Sequence, residues 1–272
     1  MEGQAEQRRP DWIRGPAPTS SFLPMTEADP IRGLQAFIDE RWAVARPRFY
    51  PDAAEGPQVP SEVTAAEAAY FLASVASRGS QPPLFIVDDE RKMRSDRIPP
   101  TSNGSPRGYL FFEKSTNGYL RLETIVHMAM TARLHFDFGW PREHLVFESP
   151  TVTRDGTDVV KNDALDILLL EAPCTELAAK MPFVTARPRV GVEAKARGKQ
   201  LDKLLEGMRA CRASRAPHDK SDHTKCLAVA ELHPQLFLGV AASERWRLFT
   251  VVEHNGRPVL GDELPGLDGL YF

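Results

Sequence analysis

Two apolar runs of this chain have charged residues set into them: Ala164-Leu165-Asp166-Ile167-Leu168-Leu169-Leu170 and Val190-Gly191-Val192-Glu193-Ala194-Lys195-Ala196. Four or more aliphatics bounded by loop residues read as a short buried strand. A carboxylate or an ammonium inside such a strand is costly unless it is paired or bound to a metal. Side chains alternate along a strand, so Glu193 and Lys195 point to one side. If the two strands are neighbours, Asp166, Glu193 and Lys195 converge on one spot of an otherwise apolar sheet. Such a cluster suits a hard divalent cation. Asp166 and Glu193 offer carboxylate oxygens, the carbonyl of Ala194 offers a third donor, and Mg²⁺ keeps several waters. Lys195 would sit over those waters, placed to acidify an attacking water or to stabilise charge on a phosphate. The chemistry these parts serve is phosphodiester hydrolysis.

The elements that must position them follow from periodicity and turn residues. Residues 1–30, rich in Pro, Gly, Ser and Glu, read as a flexible arm. A helix is expected over Ile31–Ala45, from the spacing of Leu34, Phe37, Ile38 and Trp42. A second should start at Ser61 as N-cap and reach Ala76. Strands are expected at Pro83–Val87 and Tyr109–Phe112, with a long loop over Asp88–Arg107. A strong helix carrying Glu123 spans about Thr116 to Phe138, stopped by Gly139 and Pro141. Leu145 through Val152 reads as one strand, and Asp155-Gly156 as a hairpin signal before the Asp166 strand. Within the connection Glu171–Arg187, a helical turn is expected at Leu177–Met181. After the Glu193 strand comes a helix over Lys199–Ala213 with Leu201, Leu204, Leu205 and Met208 as its buried face. Leu227–Leu232, Leu236–Val240 and Trp246–Val252 complete the pattern as strands, with Trp246 and Phe249 in the core.

The order of helix with Glu, strand with Asp, strand with Glu-x-Lys and basic helix resembles the PD-(D/E)XK nuclease superfamily. The residues that carry the resemblance are Glu123, Asp166 in Leu165-Asp166-Ile167-Leu168-Leu169, and Glu193-Ala194-Lys195. It spans roughly residues 116–252. It implies an α/β restriction-endonuclease-like core, a central mixed β-sheet flanked by helices (αβββαβ), with a mostly helical extension before it. The implied domains are the arm, an accessory region over 31–115 and a nuclease-like domain over 116–272. The resemblance also implies Mg²⁺ dependence, with Mn²⁺ as a substitute, and hydrolysis of DNA, with RNA kept open. Asp166 and Glu193 would bind the metal, Lys195 would assist the water, and Glu123 would orient it or bind a second ion. Family analogy suggests a role in restriction or phage defence. Leu165 stands where the family pattern has proline. Gln200 begins no full Gln-x-x-x-Tyr motif, since Leu204 holds the tyrosine position. The absence of a cysteine quartet sets aside the iron–sulfur branch.

Other residues compete for roles. Glu148, after Phe147, is an alternative acid for the site. His127 reads as a buried helix histidine, and His218, His223 and Cys226 lack the second cysteine pair of a zinc site. A chain of 272 residues, 42% hydrophobic and 26% charged, fits a globular protein. Its net charge of −3 offers no global argument for nucleic-acid binding, but Arg187–Arg215 holds nine basic residues and three acids. Lys199, Gln200, Lys203, Arg209 and Arg212 are the candidate phosphate contacts in that stretch. Three scattered cysteines, with no apolar leader and no apolar run long enough to span a bilayer, predict a cytoplasmic protein without a membrane partner. A homodimer, or a regulatory protein bound through the N-terminal region, is the expected protein contact. The rival expectation is a non-catalytic nucleic-acid-binding or protein-interaction module on the same fold.

Overall fold

A computed structural model describes residues 29–115, 118–213 and 220–272, and their side chains except at 211–213 and 220–223. The expected arm over 1–30 falls almost wholly outside the described residues. Helix α1 (Pro30–Phe49) starts where the Asp29 carboxylate accepts the Ile31 N–H at 3.0 Å. It buries Leu34, Ile38, Trp42 and Ala45 along one stripe and runs on through Pro47, beyond the expected end at Ala45. Helix α2 (Ala65–Val75) starts later than expected, because Thr64 and not Ser61 is its N-cap. Thr64 and Glu67 form a reciprocal capping box, which satisfies two backbone N–H groups at once. The Glu67 carboxylate also accepts from the backbone of Glu244 at 2.9 Å, tying α2 to the turn at Ser243-Glu244. Strands β1 (Ile86–Val87), β2 (Lys92–Arg94) and β3 (Tyr109–Leu110) form a small sheet. Strand β2 lies inside the stretch expected to be loop.

Helix α3 (Leu122–Phe136) is shorter than the expected Thr116–Phe138. An isolated bridge to Phe112 keeps Leu120 out of the helix, and the Trp140 N–H closes the end on Leu134. Eleven of its residues are buried, because it is sandwiched between α2 and the main sheet.

The main sheet has six strands in the order β12-β11-β10-β9-β7-β4. Strands β4 (Leu145–Phe147), β7 (Ile167–Leu170) and β9 (Pro188–Lys195) pair antiparallel to one another, β4 with β7 and β7 with β9. Strand β10 (Leu236–Ala241) runs parallel to β9, and β11 (Arg245–His254) and β12 (Arg257–Leu264) add an antiparallel edge. The strand expected over Leu145–Val152 is broken in two. Glu148 has φ +57°, which ends β4 and sends the chain into β5 (Thr151–Arg154) of a second small sheet. There β5 pairs with β6 (Thr157–Val160) across an Asp155-Gly156 turn with both φ values positive. The expected helical turn near Leu177–Met181 is instead strand β8 (Lys180–Pro182), paired with β5, and the short helix α4 (Phe183–Ala186) follows it.

Helix α5 (Gly198–Ala213) buries Leu201, Leu204, Leu205 and Met208 as expected. The expected strand at Leu227–Leu232 is the end of helix α6 (Lys220–Leu232). Ala228, Val229 and Leu232 are buried while Leu227 is 44% exposed, a helical spacing that alternation would not give. Strand β12 escaped expectation because Pro258 and Gly261 interrupt its pattern. Its edge position tolerates the proline, and Asn255-Gly256 makes the hairpin turn. Two cores result. Helices α1–α3 cover one face of the sheet over Ile167, Leu169, Val190 and Val192. Helices α5 and α6 cover the other over Leu168, Leu170, Phe237 and Phe249.

Candidate active site

Antiparallel register puts Ile167 opposite Val192 and Phe147 opposite Ile167. One step further along the same ladders, Glu148, Asp166 and Glu193 stand side by side across β4, β7 and β9. Backbone bonds continue there, from Glu148 N to Asp166 O at 2.7 Å and from Asp166 N to Val192 O at 3.1 Å. Asp166 is thus at the first step before β7 rather than inside it, and its Oδ2 accepts the Ala194 N–H at 2.6 Å. Like charges facing each other across a ladder are destabilising. The sheet tolerates them here only with cations at hand.

Two lysines supply the cations. Lys195 Nζ donates to Glu193 Oε1 at 2.6 Å, to the Ala194 carbonyl at 2.9 Å and to Glu123 Oε1 at 3.1 Å. Alternation along β9 had predicted the first contact. The last draws Glu123, in the first turn of α3, into the cluster from the opposite layer. The second lysine is Lys225 of α6, whose Nζ lies 2.7 Å from Glu193 Oε2 as an ion pair without hydrogen-bond alignment. Sequence reasoning missed Lys225, because it lies just before a segment read as a strand. At the rim, Asp163 accepts from Tyr109 Oη at 2.6 Å and pairs with Arg107, which brings the small N-terminal sheet to the site.

Burial dominates the electrostatics. It pushes the Glu193 carboxyl up to about 7, with repulsion from Asp166 adding to the rise and Lys225 and Lys195 opposing it. Burial likewise raises Asp166, against Lys225, Lys195 and the Ala194 N–H. Lys195 is held charged well above the usual lysine range; burial opposes this, and Glu193, Glu123 and Asp166 outweigh it. The partners of one contact therefore shift so that the lysine keeps its proton throughout, while the charge on the fully buried Glu193 is conditional on pH. Glu148 is raised by burial and by Asp166, Asp163 and Glu193. On the α3 side, His127 Nδ1 approaches Glu148 Oε1 at 3.6 Å. Burial lowers His127 to about 4, so it stays neutral near pH 7, and its buried Nε2 has no hydrogen-bond partner among the described residues.

The expected phosphate contacts are more dispersed. Lys199, Gln200, Lys203 and Arg209 are exposed on α5. Gln200 Oε1 accepts the Arg197 N–H at 3.1 Å, so this side chain closes the start of the helix. Arg209 pairs with Glu263 of β12 at 3.1 Å and stacks over Phe249. The side chain of Arg212, like those of His218 and His223, lies outside the described residues.

No family model, curated protein or solved structure matches this chain. Among the described residues, no three His, Cys, Asp or Glu side chains are grouped to share one metal ion. Asp166, Glu193 and the Ala194 carbonyl still make a donor set of hard oxygens that fits hydrated Mg²⁺, which needs only one or two carboxylates. Buried acids that repel one another, with lysine ammonium groups already between them, are an environment that favours added positive charge. Among the described residues, no helix is long and apolar enough to cross a membrane.

Proposed function

We propose that this protein is a Mg²⁺-dependent nuclease that hydrolyses DNA phosphodiester bonds. The observation that carries the reading is the facing of Asp166 and Glu193 across β7 and β9, with Lys195 bonded to both Glu193 and Glu123. The element order supports it as well. Helix α3, antiparallel β4, β7 and β9, helix α5 and parallel β10 follow the αβββαβ pattern that the resemblance implies. The carboxylates of Asp166 and Glu193 and the carbonyl of Ala194 would hold the ion. Once bound, it supplies neutralisation of the phosphate charge and a more acidic water.

The chain's own residues account for the rest. Lys195 keeps its proton at neutral pH, so it acts as a fixed positive charge beside the attacking water and the phosphate oxygens. Its three bonds to Glu193, Ala194 and Glu123 set the direction in which that ammonium points. Glu123 is partly exposed at the mouth of the cluster and steers the water through Lys195. Water oxygen bonds to phosphorus as it gives up a proton to the surrounding solvent, while the bond to one ester oxygen breaks and the leaving oxygen takes up a proton from solvent. Exposed Lys199 and Lys203 position the phosphate backbone without reading bases.

The test is nicking of supercoiled plasmid in Mn²⁺ by the wild type beside Lys195→Ala. Nicking by the wild type alone supports the reading. Equal nicking by both proteins, or no cleavage of either DNA or RNA, overturns it.

A further inference from the structure

Glu193 is fully buried and carries an ammonium group on each oxygen, Lys195 on Oε1 and Lys225 on Oε2. The two lysines are not equivalent. An ammonium has three hydrogens to donate. Lys195 places them on three acceptors and belongs to the same strand as Glu193. Lys225 arrives from α6, in the layer beneath the sheet, and its ion pair with Oε2 lacks hydrogen-bond alignment. Its side chain is 14% exposed, so it is not sealed from water, and what separates it from Lys195 is the lack of aligned hydrogen bonds rather than exposure. Lysine carries a compact charge on a flexible four-carbon stem, which makes it suited to exchange between acceptors.

We propose, on the strength of the metal-dependent reading above, that Lys225 is an exchangeable cation of this site: it neutralises Glu193 Oε2 until a divalent ion binds there, and then turns to the scissile phosphate. The geometry supports this. A divalent ion that takes Glu193 as ligand must share Oε2 with Lys225, 2.7 Å away, or displace it, and a dication close to an ammonium repels it. A cation released when metal binds becomes available when a phosphate enters. A purely structural ion pair would behave differently, because nothing would couple it to metal.

Titration calorimetry with Mn²⁺ on the full chain separates these cases. Lys225→Met removes the competitor, and should bind Mn²⁺ about tenfold more tightly than the wild type. The same variant at saturating Mn²⁺ should nick plasmid about tenfold more slowly, with part of the rate restored in Lys225→Arg. A folded Lys225→Met with unchanged or weaker Mn²⁺ affinity overturns the proposal. A measurement on the wild type covers the case in which Lys225→Met does not fold. Reductive methylation followed by peptide mass spectrometry should label Lys225 faster with Mn²⁺ than without, and equal or slower labelling overturns the proposal. If the wild type binds no Mn²⁺ at all, the nuclease reading falls and takes this inference with it. Binding by the wild type with no change at Lys225 overturns this inference alone.

Discussion

Glu193 and Glu148 belong to the same row across the sheet, and both are withdrawn from water, but their surroundings differ. On the α5/α6 side Glu193 meets two ammonium groups, at 2.6 and 2.7 Å. On the α3 side the basic group that Glu148 meets is His127, whose burial keeps it neutral. The separation of 3.6 Å looks like an ion pair, but burial raises the carboxyl and lowers the imidazole to about 4, so the ring carries no charge near pH 7 to pair with it. Glu193 is therefore an acid with cations in contact on both oxygens, and Glu148 is an acid raised by burial beside a neutral ring. Only the former is disposed to hand its charge to a metal. The backbone is consistent with this division: β9 continues in register past Glu193, whereas Glu148 is held at positive φ, where the strand breaks.

The largest expected effects are on the cation-rich side. Asp166→Ala should abolish measurable Mn²⁺ binding and lower plasmid nicking by about a thousandfold or more. Glu148→Gln, which keeps the size of the side chain, should lower nicking by no more than about tenfold, since Glu148 lies outside the proposed metal-holding set of Asp166, Glu193 and the Ala194 carbonyl. Equal losses in the two variants would erase the distinction and make Glu148 a metal ligand.

Stability against pH probes both sides together. The Glu193 carboxyl rises from 4.5 to about 7 on folding, so its contribution is complete below pH 4.5 and is lost as pH rises through 7. His127 falls from 6.5 to about 4, so its contribution is complete above pH 6.5 and is lost as pH falls through 4. Melting temperatures should show the two opposing limbs. Glu193→Gln should flatten the upper limb, worth on the order of 3 kcal/mol, and His127→Leu the lower one. A wild-type upper limb that survives in Glu193→Gln would mean that another group titrates there. On the proposed reading, metal would enter through the same acid. Below pH 7 Mn²⁺ must displace a proton from Glu193, so its dissociation constant should tighten by about tenfold per pH unit up to 7 and level off above it. A pH-independent affinity would place the metal away from Glu193.

These two sides were unequally legible in the sequence. Glu193 and Lys195 interrupt an aliphatic run two residues apart, and strand alternation alone joins them. Asp166 was readable for the same reason, although it lies just ahead of its strand and bonds to backbone. Glu148 could be weighed but not placed, because the break after Phe147 depends on a left-handed backbone at an ordinary glutamate. Lys225 was hidden by a short run, Leu227–Val229, whose apolar residues suit strand and helix equally. Only packing of Ala228, Val229 and Leu232 against the layer beneath decides for helix, and that packing is what aims Lys225 at Glu193. The edge strand β12 was lost to its proline and glycine, with the Asn255-Gly256 turn as the signal that could have found it.

The smallest effects should come from α5, where the comparison passes from buried to exposed charge. Lys199 and Lys203 are exposed, whereas Arg209 is engaged by Glu263 and by the ring of Phe249. A basic residue that contacts phosphate releases a counterion, so its loss lowers the salt dependence of binding by about one unit of log–log slope. Lys199→Ala and Lys203→Ala should each do so in catalytically dead Asp166→Ala protein, measured by fluorescence anisotropy over a salt series. Arg209→Ala should change affinity by less than about twofold, because its guanidinium is already held by Glu263, which it shares with Arg247, and by the Phe249 ring. A full unit of slope lost in Arg209→Ala would instead run the phosphate backbone along β12, away from the acids of β7 and β9. That path would leave Lys195 without a phosphate to act on.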